Sequence, residues 1–69
     1  MGRIVMQDGE VIEDVKKVMD THDGFLRVER FIKKTEAEAK PTEIVIEIIS
    51  KERVHRLEHI KIWEGRGKL

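Results

Sequence analysis

The chain of 69 residues has no cysteine, one proline and three aromatic residues, and its 14 basic and 14 acidic side chains cancel. The absence of cysteine excludes disulfides, thiolate metal sites and a cysteine nucleophile. Zero net charge removes the overall basic field that favours nucleic acid, although it permits a local basic face. No run approaches the roughly 20 apolar residues of a membrane span. No apolar signal-peptide core follows Met1, so we expect a cytoplasmic protein without a membrane partner.

Leucine and alanine are also scarce, with three and two residues, whereas isoleucine and valine together number sixteen. Side chains branched at Cβ favour strands, so the composition predicts an all-β fold. The length predicts one small domain with a narrow stability margin, for which self-association as a homodimer is a common remedy. A composition rich in Glu, Lys, Arg and Ile without cysteine is also typical of thermophile proteins.

The apolar pattern predicts a small five-stranded antiparallel barrel or meander over 1–64, followed by a flexible tail at 65–69. Asp8-Gly9 predicts a two-residue type I′ hairpin turn. Residues 35–42, which include the only proline, predict an exposed loop, and residues 50–53 predict a one-turn break. The expected strands are 3–7, a strand beginning at 11, 25–34, 43–49 and 55–64.

Two segments also fit helices. The apolar residues of 10–20 follow the spacing of an amphipathic helix, and 51–60 could form a helix capped by Ser50. Both helices together would give an α+β, ferredoxin-like order. As a strand, 10–20 needs a bulge near Asp14.

A histidine pair is the candidate metal site. His55 and His59 lie four residues apart, so on a helix the two imidazoles would share one face and could bind a divalent metal ion. On a strand they would lie about 13 Å apart, too far to bind one ion. The metal hypothesis therefore depends on the helical alternative, and two solvated histidines are the simpler interpretation. We expect no cofactor.

Basic residues cluster along the third predicted strand, and aromatic residues lie among them. Basic strands with interleaved aromatics are typical of β-sheet surfaces that bind RNA or other single-stranded nucleic acid. Glu29 interrupts the cluster, and aromatic residues more often belong to a core. The candidate nucleic-acid residues are Phe25, Arg27, Arg30, Phe31, Lys33 and Lys34.

Strand alternation divides the apolar residues between two faces. If the isoleucines Ile44, Ile46 and Ile48 face inward with the core, then Val45 and Ile49 lie on the opposite face. Large apolar groups left outside predict a buried interface between copies. The candidate interface residues are Val45, Ile49 and Trp63.

No catalytic constellation is evident, since Ser50 is the only serine and no glycine-rich phosphate loop is present. The sequence therefore predicts a non-enzymatic, self-associating binding module. RNA or single-stranded nucleic acid is the leading partner. A metal-binding accessory protein and a structural protein-interaction module are the alternatives.

The order of short strands, with a one-turn break before the last, resembles the small SH3-like and Sm-like barrels. That resemblance implies a barrel that is often oligomeric and often binds RNA. The RNA-contact motifs of the Sm family are not matched: this chain has Asp23-Gly24-Phe25-Leu26 where an asparagine is expected.

Residues Glu13-Asp14-Val15-x-x-Val18, Asp23-Gly24 and Leu26-x-Val28 are similar to the middle of the CooT-type family of small nickel-binding β proteins. That family's metal ligation uses a cysteine directly after the initiator methionine. The corresponding position here is Gly2, so the resemblance transfers no metal ligand.

Overall fold

The computed structural model describes residues 1–64, and the predicted tail at 65–69 lies outside them. The described chain is all-β, as the composition predicts, and it includes no helix long and apolar enough to cross a membrane. A 3₁₀ turn at Lys51–Arg53 stands where the one-turn break is predicted. The strands are β1 (Gly2–Met6), β2 (Val11–Asp20), β3 (Phe25–Ile32), β4 (Glu43–Ser50), β5 (Val54–Glu58) and β6 (Ile62–Glu64).

These strands form one sheet in the order β4-β3-β2-β1-β5, which is not closed among the described residues. The first four strands form an antiparallel meander, and the 3₁₀ turn then carries the chain to the free side of β1, where β5 pairs. The short β6 pairs in parallel with the end of β2. The predicted meander is therefore confirmed, and the alternative helices near 10–20 and 51–60 are wrong.

Two local predictions need correction. The β1–β2 turn is a three-residue loop and not a type I′ turn, because Gly9 has a φ of 93° but Asp8 has an ordinary negative φ. The Gly9 N–H donates to the Met6 carbonyl, as in a type I turn followed by a glycine bulge. The predicted strand 55–64 is divided into β5 and β6, since His59, with a φ of 63°, redirects the chain after β5.

The predicted bulge in β2 is present at Asp14, whose φ is 57°. Aspartate tolerates this left-handed backbone better than most residues. Gly2 of β1 pairs with Val15 and Ile4 pairs with Ile12, so β2 has one more residue than β1 in this interval. The extra residue changes which β2 side chains point inward.

A second irregularity follows on the other side of β2. Val15 pairs with Arg30 of β3, but Lys17 pairs with the adjacent Glu29, so Lys16 is the extra residue here. Because of the two bulges, the inward residues Ile12, Val15 and Val18 are spaced by three and not by two. This spacing is what imitates a helix in the sequence.

The core is formed by the inward-facing side chains of β1, β2 and β3. Side chains from β4, β5 and the segment after β5 cover its margin. Its buried apolar residues are Ile4, Met6, Val15, Val18, Leu26 and Val28, with Ile12, Ile49, Val54, Leu57 and Ile60 packed against them.

The face of β4 that was predicted to lie in the core is the exposed one, and the other face points inward. Leu26 and Val28 face the core, and their partners on β4 are Ile49 and Glu47. Directly paired residues of an antiparallel sheet share a face, so Ile49 faces inward. The alternate residues Ile44, Ile46 and Ile48 face outward, contrary to the expectation that they fill the core. The register with β3 decides this, because β3 already has its apolar pair inside.

Candidate binding surface

The outward side of the sheet carries the candidate site, which we call the outer face. Cross-strand pairing aligns residues of four strands: Trp63 on β6 lies beside Met19 on β2, which pairs with Arg27 on β3, which pairs with Ile48 on β4. In the next row, Lys17 pairs with Glu29, which pairs with Ile46. The outer face is therefore continuous from β6 to β4.

The β4 side of the outer face is apolar. We call Ile44, Ile46 and Ile48 the isoleucine row; their exposed fractions are 46%, 51% and 59%. Phe31 pairs with Ile44 and extends the apolar part of the outer face from β4 to the neighbouring strand β3. Single exposed apolar side chains are ordinary, but three in succession on one strand are not. The row also lies on an edge strand, because β4 pairs only with β3 in the described sheet.

The β6 side of the outer face combines an exposed aromatic ring with cations. Trp63 is 59% exposed, and the Lys17 ammonium lies 5.1 Å from the centroid of its ring, within the range of a cation–π contact. Arg27 lies one strand further across and donates to Glu29 at 2.9 Å. This part of the surface has flat apolar area with positive charge beside it, and Glu29 offsets that charge.

The six candidate nucleic-acid residues do not form one patch. Phe25, Arg27 and Phe31 lie on the outer face, as their alternation predicts. Arg30 lies on the inner face, opposite Val15 and Val45. The remaining two, Lys33 and Lys34, follow the end of β3 in the exposed loop.

Arg30 has a structural partner on the inner face. Its guanidinium donates to the Glu47 carboxylate at 2.8 Å, so the ion pair joins β3 to β4. The hydrogen bond from Arg30 lowers the pKa of Glu47 despite partial burial, which keeps the carboxylate charged. We therefore assign Arg30 to the stability of the β3–β4 pair and not to the outer face.

The histidine pair does not have the geometry that the metal hypothesis requires. His55 lies in β5 and His59 just beyond its end, so the two are not on one helical face. Among the described residues, no three His, Cys, Asp or Glu side chains are grouped so that they could hold a metal ion. The positive φ of His59 instead gives it a backbone role at the turn after β5.

Of the predicted interface residues, only Trp63 lies on the outer face and is exposed. Val45 and Ile49 are half-buried on the inner face, and Ile49 packs against the core. Sequence reasoning missed the isoleucine row as a surface, although it identified β4 as a strand with apolar residues on both sides. No signal within β4 could have found the row, because Glu43 and Glu47 share the face of Val45 and Ile49 and so favour the opposite assignment.

The site is a surface and not a cleft, because residues 1–64 form no pocket. Comparisons with protein-family models, with curated proteins and with solved structures find no match to this chain.

Proposed function

We propose that the chain is a non-enzymatic binding module that associates with a second copy of itself through β4. The observation that supports this most strongly is the isoleucine row, an apolar strip on an edge strand whose second side has no partner strand in the described sheet. Edge strands of monomeric proteins usually carry charged residues, proline or bulges that prevent pairing with another chain. Contiguous exposed apolar surface is typical of interaction sites.

The size of the core supports the same proposal. Within residues 1–64 the buried apolar cluster contains six residues, none of them aromatic, and the chain has no cysteine for a disulfide. Small domains with so little buried apolar volume commonly gain stability from a partner. Association through β4 would add apolar contacts without any change in the fold of one chain.

We predict that Ile46→Lys abolishes self-association of an otherwise folded protein. Ile46 is half-exposed on the outer face, so the substitution removes no core packing and places a charge within the apolar strip. The measurement is sedimentation equilibrium over a range of concentrations, with far-UV circular dichroism to verify the fold. Val11→Lys is the matched control, because Val11 is an exposed apolar residue on β2 away from β4.

Wild-type protein that sediments as a monomer at all concentrations would refute the proposal, as would an Ile46→Lys variant that associates like the wild type. Ile49→Lys is less informative, because Ile49 packs against the core and its substitution would unfold the monomer. The choice of Ile46 separates loss of association from loss of folding.

Single-stranded nucleic acid is the second candidate ligand. The observation in its favour is the exposed Trp63 ring beside Lys17 and Arg27, since aromatic platforms next to cations stack bases with little sequence preference. Trp63 is the only tryptophan, so its fluorescence reports directly on this surface. We expect a short single-stranded RNA to quench it in a salt-dependent way, and Lys17→Ala to weaken the effect. Fluorescence indifferent to RNA would exclude this candidate.

The architecture supports both candidates by analogy. A one-turn 3₁₀ segment precedes β5, and β5 returns to pair with β1. This order is similar to that of the SH3-like and Sm-like barrels, whose members are often oligomeric and often bind RNA. The analogy concerns the fold, and it assigns no residue a role.

A further inference from the structure

The two end strands of the order β4-β3-β2-β1-β5 differ in how their free edges are protected. β5, at one end, has only five residues, includes His55, Arg56 and Glu58, and has an irregular register against β1. β4, at the other end, has eight residues with no lysine, arginine or proline, and its register against β3 is regular throughout. Short, charged and bulged edges resist pairing, whereas long, regular and apolar edges favour it. The β4 edge is therefore the one suited to accept another strand.

The backbone polarity of β4 follows from its pairing with β3. The Lys51 N–H donates to the Gly24 carbonyl at 2.9 Å, and these residues are opposite each other when the β3–β4 register is extended by one pair. Hydrogen-bonded pairs alternate along an antiparallel ladder. The odd-numbered residues of β4 therefore bond to β3. The isoleucine row directs its N–H and C=O groups to the open edge.

We infer that two copies of this chain pair edge to edge through antiparallel β4 strands, with Ile46 of each copy opposite Ile46 of the other. The inference rests on the proposed self-association and names its geometry. Ile44 of one copy then lies opposite Ile48 of the second, and the two isoleucine rows form one apolar strip. All three residues of the row use their outward backbone groups in this arrangement. The partner is the same chain, because the edge is complementary to itself about this axis.

Charge selects this register from its neighbours. The two-fold axis that relates the two strands must lie midway between two copies of the same residue. Only then do the outward N–H and C=O groups of one strand face those of the other. An axis at Glu47 would place the two copies of Glu47 directly opposite each other, and an axis at Val45 would place Glu43 opposite Glu47. Like charges directly opposite each other are unfavourable, so both neighbouring registers are disfavoured. With the axis at Ile46, Glu47 lies opposite Val45 and Glu43 lies opposite Ile49. The overlap of the two eight-residue strands is nearly complete.

Single-cysteine cross-linking tests the register, since the natural chain has no cysteine. In the proposed dimer, two copies of Ile46→Cys have Cα atoms about 5.5 Å apart, within the range that a disulfide spans. Two copies of Ile44→Cys, or of Ile48→Cys, are about 13 Å apart and cannot react. Arg27→Cys is the control, because Arg27 lies on the outer face one strand away from the edge. Two copies of this cysteine would cross-link in a dimer that packs its outer faces together, but not in the edge-to-edge dimer.

We expect mild oxidation to convert most Ile46→Cys protein to a covalent dimer and to leave Ile44→Cys and Ile48→Cys monomeric. An equimolar mixture of the latter two should cross-link. If all three variants react alike, or Arg27→Cys reacts and Ile46→Cys does not, the register is refuted. Circular dichroism of each variant verifies that it is folded. If the wild-type protein is dimeric by sedimentation but the cysteine variants do not show this pattern, the edge pairing alone is refuted, whereas a monomeric wild type refutes the proposed function as well.

Discussion

Gly2 is buried in β1, and the side chain of Ile60 occupies the space where a Cβ atom at position 2 would lie. That Cβ would come within 2.6 Å of Ile60 Cγ2 and 3.1 Å of the Glu58 carbonyl oxygen. Any side chain at position 2 would therefore require Ile60 to move.

We predict that Gly2→Ala lowers the free energy of unfolding by about 1–3 kcal/mol, the usual cost of overpacking a buried site. The same substitution should cost much less in an Ile60→Gly background, where both crowding Ile60 atoms are removed. Urea denaturation of the two single variants and the double variant measures this coupling. Additive costs would show that Ile60 does not restrict position 2.

At the scale of single elements, β2 shows how far the sequence could predict the fold. The branched composition indicated strands, and the need for a bulge near Asp14 followed from the pattern itself. The second irregularity at Lys16 could not be predicted, because it depends on the register with β3. Two bulges in ten residues change the inward spacing from two to three, so a strand acquires the apolar pattern of a helix.

The end of β2 is joined to the 3₁₀ turn by a buried carboxylate. Asp20 accepts a hydrogen bond from the His22 backbone N–H at 2.8 Å, and the Lys51 ammonium lies 2.7 Å from its other oxygen. The hydrogen bond from Lys51 is the main cause that lowers the pKa of Asp20, followed by the one from His22. The side chain therefore connects the β2–β3 turn to the turn that follows β4.

This connection predicts a specific dependence of stability on pH. Because the pKa of Asp20 is lower in the folded protein than in the unfolded chain, its carboxylate stabilises the fold above the unfolded pKa of about 4. That stability is lost as the pH falls through the folded pKa. We expect Asp20→Asn to be less stable than the wild type at pH 7, with a difference that shrinks on acidification. Urea denaturation at a series of pH values measures the difference, and a constant difference would contradict the assignment.

A substitution of the partner provides the control. Lys51→Gln removes the ammonium but leaves the His22 hydrogen bond, so the pKa of Asp20 should rise without returning fully to its ordinary value. The ¹³C chemical shift of the Asp20 carboxyl group, followed by NMR during an acid titration, reports that pKa. An unchanged value would show that Lys51 does not contribute.

For the whole molecule, the sheet has an inner face that holds the core and an outer face that is apolar at β4 and combines an aromatic ring with charged side chains near β6. The expectation of an interface followed from β4 having apolar residues on both faces. Which face is inside could not be read from β4 alone, because the choice is made by Leu26 and Val28 on its neighbour. Strand alternation shows which residues share a face but not which face is buried. For this reason Ile49 was predicted to be outside and lies inside, whereas the isoleucine row was predicted to be inside and lies outside.

If a second copy covers the β4 edge, it protects the backbone amides on that edge, and amide hydrogen exchange of β4 measures this protection. In an isolated chain the amides of Ile44, Ile46 and Ile48 face solvent, whereas those of Val45 and Glu47 bond to β3. We predict that the three isoleucine amides become protected as the protein concentration rises, while the other two are protected throughout. If the isoleucine amides exchange rapidly at every concentration while the Val45 and Glu47 amides are protected, the pairing of two copies through β4 is refuted.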